Sequence, residues 1–223
     1  MTMSRNTHQQ GRTGSRVNLI LGVIGVMLIA AYLVITWEDR HDAERARRYE
    51  QQSSGNADNP VGAAVGGSFT LVNQDRKTVT EKDYHGKFML LTFGYTYCPD
   101  VCPTKLQDIS LALDQMGEDM KWVQPVFISI DPQRDTPLQM KQYVGLYHNN
   151  IQGLSGSIEQ VAAVARAFKI YYKRAEDTGD GNYMMDHSTG IYLLDQEGKF
   201  LEIFGEGVDP AKIAAAIKSH LHK

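Results

Sequence analysis

Cysteine is almost absent: the chain has two in 223 residues. That count excludes a disulfide-stapled secreted scaffold and a Cys₄ or Cys₃His zinc site. A strong excess of one charge is missing as well. The formal net charge is −3, and 16 basic and 20 acidic side chains follow Gly66. Such a balance has no electrostatic footprint for nucleic acid, which is excluded as a partner. Proline is missing between Pro137 and Pro210, and no internal repeat is visible.

What is present divides the chain. Residues 1–16 contain Arg5, Arg12 and Arg16 and no acid, and form a short N-terminal tail. The 21 residues from Val17 to Trp37 carry no charge. At ~1.5 Å per residue they reach the roughly 30 Å of a bilayer core. A cleavable leader has a shorter apolar region followed by a small-x-small site, and no such site follows here. The expectation is an uncleaved membrane anchor over 17–37. By the positive-inside rule the arginines lie in the cytoplasm and everything after Trp37 lies across the membrane. A bacterial inner membrane with the domain in the periplasm fits this tail. The alternative is the mitochondrial inner membrane, facing the intermembrane space. Residues 38–65 form a charged stalk and linker (EDRHDAERARRYE, then QQSSGNADN). Residues 66–223 form the globular domain, large enough to bury a core unaided.

Within that domain, Ser68–Asn73 and Lys77–Thr80 read as paired strands. Lys87–Tyr95 (KFMLLTFGY) is a near-continuous apolar run, the signature of a strand buried on both faces. A helix should follow with Leu106, Ile109 and Leu113 inward. Val123–Ile130 is a second buried strand. Pro137–Tyr147 and Ser157–Phe168 read as helices, the second capped by Ser157. Ser188–Asp195 and Lys199–Phe204 form a hairpin. A last helix starts from Asp209 and Pro210. The order β-β-β-α-β-α-α-β-β-α predicts an α/β fold, a central mixed sheet with helices on both faces.

The cysteines lie in GYTYCPDVCP, between the most buried strand and a helix. Pro103 would break a helix begun at Pro99, so either the first turn is distorted or regular helix starts at Pro103. In both cases Cys98 and Cys102 sit at a helix N-terminus, where the macrodipole favours thiolate. A low-pKa dithiol can exchange disulfides or bind a soft cation. A static disulfide across four residues would close a loop too short to stabilise much.

The ordered motifs GYTYCPDVCPTKL, ISIDPQRDTP and DHSTGIYLLDQEGKF resemble the SCO1/SenC family of copper-binding assembly proteins for cytochrome c oxidase. The resemblance runs from about Gly66 to the C-terminus. It implies a thioredoxin-like fold with a peroxiredoxin-type elaboration. It also implies metal ligands at Cys98, Cys102 and His187, holding Cu(I) or Cu(II). The implied partners are the copper-bearing subunit of cytochrome c oxidase and a copper-donor chaperone. His187 stands just before an expected strand, with Asp186 either orienting it or simply adjacent. Asp131 and Asp135 would hydrogen-bond behind the site or cap the next helix, capping being preferred for Asp135. Met184 and Met185 are assigned to packing. The remaining histidines (His8, His41, His85, His148, His220 and His222) fall in the tail, stalk, turns or helix ends.

Two function classes stay open. One is a non-catalytic copper carrier. The other is a thiol-disulfide oxidoreductase or redox sensor in which Cys98 attacks and Cys102 resolves through a Cys98–Cys102 disulfide. Thioredoxin-type oxidoreductases place a proline against a C-x-x-C pair; here His187 occupies about that place and the spacing is C-x-x-x-C. Both departures favour metal. A peroxidase is disfavoured, because no Thr/Pro-flanked cysteine with a nearby Arg is found.

Overall fold

The computed structural model describes residues 18, 21–34, 36, 37, 40, 65–175 and 183–221. The chain divides into two units, Met1–Arg48 and Tyr49–Lys223. In the first, 21–34 form a continuous helical run whose Leu21, Val26, Met27, Leu28 and Leu33 are exposed. No helix among the described residues is long and apolar enough to cross a membrane. The run 21–34 makes about 20 Å of helix at ~1.5 Å per residue. The expected span from 17 to 37 and the stalk lie partly outside the described residues.

The second unit is built on a seven-stranded mixed sheet. In chain order the strands are β1 (Thr70–Asn73), β2 (Thr78–Thr80), β3 (Phe88–Gly94), β4 (Val123–Ser129), β5 (Gln152–Ser155), β6 (Tyr172–Arg174), β7 (Met185–His187), β8 (Ile191–Leu194) and β9 (Phe200–Phe204). The helices are α1 (Val101–Met116), α2 (Pro137–Val144), α3 (Ile158–Ala167) and α4 (Pro210–Leu221). The sheet order is β2-β1-β5-β4-β3-β8-β9, with β6 and β7 forming a separate ribbon. β3 pairs parallel with β4 and antiparallel with β8.

Every residue of β3 is buried, as an apolar run flanked by two strands and two layers requires. On one sheet face Phe127 meets Tyr143 of α2, and α1, which packs on α4, brings Cys102 against Gly94. On the other, Phe93 and Tyr192 enclose Phe168 at the end of α3. Helices therefore cover both faces. Leu106, Ile109 and Leu113 of α1 are fully buried, each contributing ~1.5–3 kcal/mol. Ser157 and Gln160 close a capping box on α3. Asp209 accepts from the Ala211 N–H at the start of α4.

Three differences from the sequence reading concern the site. β5 (QGLS) separates α2 from α3; with one large apolar side chain it carries no readable alternation. The β6–β7 ribbon, three residues per strand, was not expected, and His187 ends β7 instead of preceding β8. α1 begins at Val101 with Asp100 before it, so neither expected helix start holds. Pro103 then falls at the third position, where the missing N–H costs no intrahelical bond.

Candidate metal centre

The chain leaves β3 at Gly94 and turns through Cys98 into α1. The Cys98 N–H donates to the Tyr95 carbonyl at 3.2 Å. Cys102 sits in the first turn of α1 and is 2% exposed. A methyl group on Gly94 would overlap the Cys102 sulfur and approach Phe127 Cε2 at 2.8 Å. Glycine ends this strand because the sulfur occupies the space a Cβ would need.

His187 arrives from 85 residues away, with its Nε2 at 3.7 Å from Cys102 Sγ. Its Nδ1 lies 2.9 Å from the Ser188 carbonyl oxygen. A carbonyl only accepts, so Nδ1 carries the proton and Nε2 presents a lone pair to the sulfurs. Asp186 is exposed and stands opposite Lys173 in the ribbon; Ser188, not Asp186, orients the ring. The ligand atoms of Cys98, Cys102 and His187 lie within 4.8 Å of one another, the one such group among the described residues.

Neither cysteine is in a disulfide. The Cys98 thiol is pulled well below its ordinary range, chiefly by a hydrogen bond from Cys102, against the opposing effect of burial. The backbone N–H groups of Cys102 and Asp100 add to it. The same hydrogen bond between the two sulfurs, together with burial, pushes Cys102 up. One proton thus stays with Cys102, and Cys98 is the thiolate.

Asp135 does not cap α2; that role belongs to Thr136, which accepts from the Gln139 N–H. Asp135 is buried beneath the cysteine turn, accepting from the Thr96 N–H and hydroxyl and from Ser129 Oγ. Burial raises its carboxyl to about 6 against these bonds. Asp131, also buried, takes Arg134 Nε at 2.5 Å and the Tyr183 hydroxyl at 2.7 Å. Neither aspartate belongs to the ligand group. The Tyr95 hydroxyl accepts from the Met185 N–H at 3.2 Å and faces Met184 Sδ at 3.8 Å. The Tyr95 ring lies edge-on to His187. His85, His148 and His220 lie outside the group, while His8, His41 and His222 fall outside the described residues.

Residues 57–222 match the sequence profile of the SCO1/SenC family. The chain belongs to the SCO1/SenC family. A mitochondrial SCO1 homolog of Arabidopsis thaliana is 43% identical over 148 residues, covering 66% of this chain and 44% of that protein. The chain thus spans under half of that relative. Bradyrhizobium japonicum ScoI, solved with copper bound, is 45% identical with a TM-score of 0.66, covering 70% of this chain and 99% of that one. BsSco, solved in a study of its disulfide switch and described as a member of the Sco family of cytochrome c oxidase assembly proteins, is 26% identical. Its TM-score is 0.55, over 72% of this chain and 95% of that one. The SCO1/SenC unit is accordingly a mixed α/β, thioredoxin-like domain.

Sequence reasoning missed Tyr95, Arg134 and Tyr183, which surround this SCO1/SenC site without ligating. Tyr95 and Arg134 lie within motifs that had stood out in the sequence, whereas Tyr183 lies outside them.

Proposed function

We propose that this chain is a membrane-anchored copper metallochaperone. It holds copper through Cys98, Cys102 and His187 and delivers it toward the binuclear copper centre of cytochrome c oxidase. One observation carries the reading: two buried thiols four residues apart and a half-buried imidazole from 85 residues further on converge within 4.8 Å. Two sulfurs suit Cu(I), and an imidazole beside them extends the site to Cu(II). The donors fit this cargo better than zinc, whose structural sites take four ligands.

The residues divide the work. Cys98 is already ionised and offers the first sulfur. Cys102 keeps its proton until loading, so uptake releases a proton and strengthens as pH rises. Ser188 fixes the tautomer that leaves His187 Nε2 open. An oxidised Cys98–Cys102 pair would hold no metal, which makes reduction the condition for loading. That arrangement supports a second reading, a thiol-disulfide oxidoreductase or redox sensor, because a thiolate beside a protonated partner thiol is poised for exchange.

The partners in this reading are a copper-donor protein and the copper-bearing oxidase subunit. The domain faces the periplasm, tethered by residues 17–37 with 1–16 in the cytoplasm, 38–65 as stalk and 66–223 as the copper domain. Support for the anchor is the exposed apolar helix over 21–34. Around the thioredoxin-like core of β3, α1, β4, α3, β8, β9 and α4, the β1–β2 hairpin and the α2–β5 insertion are the peroxiredoxin-type elaboration. The test is genetic. Deletion should abolish oxidase activity, and excess copper should restore it. Normal oxidase in the deletion strain contradicts delivery and favours the redox reading.

A further inference from the structure

The motif ISIDPQRDTP supplies no ligand, yet its loop stands between the two halves of the site. The Arg134 guanidinium stacks at 3.6 Å from the Tyr183 ring centre, 4.7 Å from that of Tyr97 and 5.6 Å from that of Tyr95. Tyr95 and Tyr97 belong to the cysteine turn; Tyr183 leads into the strand that carries His187. Arg134 therefore touches both. Its side chain is 17% exposed and its Nε donates to Asp131, which is 1% exposed. Nη2 is buried and finds no hydrogen-bond partner. A planar cation spread over aromatic faces ends in that state, held by ring electrostatics instead of oxygens.

The anchoring is reciprocal. Asp131 spends one oxygen on Arg134 and the other on the Tyr183 hydroxyl. Its own N–H donates to Ser129 Oγ, which donates to Asp135, which holds Thr96 two residues before Cys98. On the far face of Tyr183, the Arg174 guanidinium lies at 3.7 Å. Tyr183 is thus clamped between two arginines, one from the β6–β7 ribbon and one from the β4–α2 loop.

We propose that Arg134 is a positioning residue that sets the separation between the cysteine pair and His187, with Asp131 and Tyr183 as its anchors. The metal-binding consequence rests on the copper reading; the positioning itself does not. Loss of the stack loosens the His187 strand, leaving the bond from the Met185 N–H to the Tyr95 hydroxyl as its remaining tie to the cysteine turn, and both sulfurs stay in place. Cu(I), which two sulfurs can hold, is retained. Cu(II), which needs the imidazole, is weakened.

The test uses the full chain in detergent, reduced, with Arg134→Met, which keeps an unbranched side chain and removes the guanidinium. In the metal-free protein, the backbone amides of residues 185–187 should exchange faster than in the parent. Cu(II) affinity should fall about 10–100-fold, as for other residues that support ligands, with an altered electron paramagnetic resonance spectrum and unchanged Cu(I) retention. Arg134→Lys should not restore the parent spectrum, since an ammonium lacks the planar stack; rescue by lysine overturns the account. So do parent-level exchange and Cu(II) binding in Arg134→Met, or an equal loss of Cu(I) and Cu(II). If Arg134→Met does not fold, Tyr183→Phe removes only the hydroxyl bonded to Asp131 and is judged by the same outcomes. A parent chain that takes up no copper refutes the copper reading instead, and the exchange measurement then decides the positioning.

Discussion

Adding one methyl group at Gly94 should damage metal binding more than it damages the fold. The new Cβ of Gly94→Ala would overlap the Cys102 sulfur and lie 2.8 and 3.1 Å from Phe127 Cε2 and Cζ. Both neighbouring side chains are buried, and Phe127 is itself packed on Tyr143. Overpacking of this kind costs ~1–3 kcal/mol. For a unit of this size, 2 kcal/mol corresponds to a Tm lower by about 4–8 °C. Relief requires the sulfur to move, whereas metal–ligand distances tolerate only about 0.2 Å. Copper affinity should therefore fall by more than tenfold while the protein remains folded. Gly205→Ala is the control: nothing lies within 4 Å of its added Cβ, and the change should stay within about 0.5 kcal/mol. Thermal unfolding followed by circular dichroism gives the first quantity, and competition with a copper chelator gives the second. A Gly94→Ala protein that melts and binds copper like the parent would refute the close approach of Cys102 to β3.

Two further predictions concern the titrating groups. Asp135 is raised from 3.8 to about 6 by burial, so its protonated form is favoured in the fold. Its contribution is full below pH 3.8 and is lost as pH rises through about 6, a change of roughly 3 kcal/mol. Asp135→Asn should remove that component from the difference between urea stabilities at pH 4.5 and pH 7; an unchanged difference contradicts the assignment. For the cysteines, a small alkylating reagent at pH 6 should modify Cys98 well before Cys102, because Cys98 is lowered and Cys102 raised. Equal labelling, read by peptide mass spectrometry, would show that the proton is not held on Cys102.

The parts legible from sequence were those governed by short-range pattern. The apolar run of β3, the inward face of α1, the Ser157 cap and the β8–β9 hairpin each follow from residues near one another in the chain. β5 escaped because QGLS lacks alternation, and the β6–β7 ribbon because three-residue strands have no period to detect. Consequently the strand bearing His187 was invisible, and the histidine itself was reached through family resemblance. Asp135 stands two residues before a helix, where a cap is the local expectation; only the fold brings Thr96 and Ser129 to it. The Arg134 stack needs tyrosines from both ends of the domain and has no local signature. The need for glycine at position 94 is likewise set by a sulfur arriving from the next helix.

The central claim, a three-residue copper site, is tested most directly by metal content. The reduced full chain, loaded with Cu(I) or Cu(II) in detergent and freed of excess metal, should retain close to one copper per chain. Cys98→Ala and Cys102→Ala should each lose most of it in both oxidation states, and His187→Ala should lose Cu(II). Full retention of copper by all three variants would contradict the account.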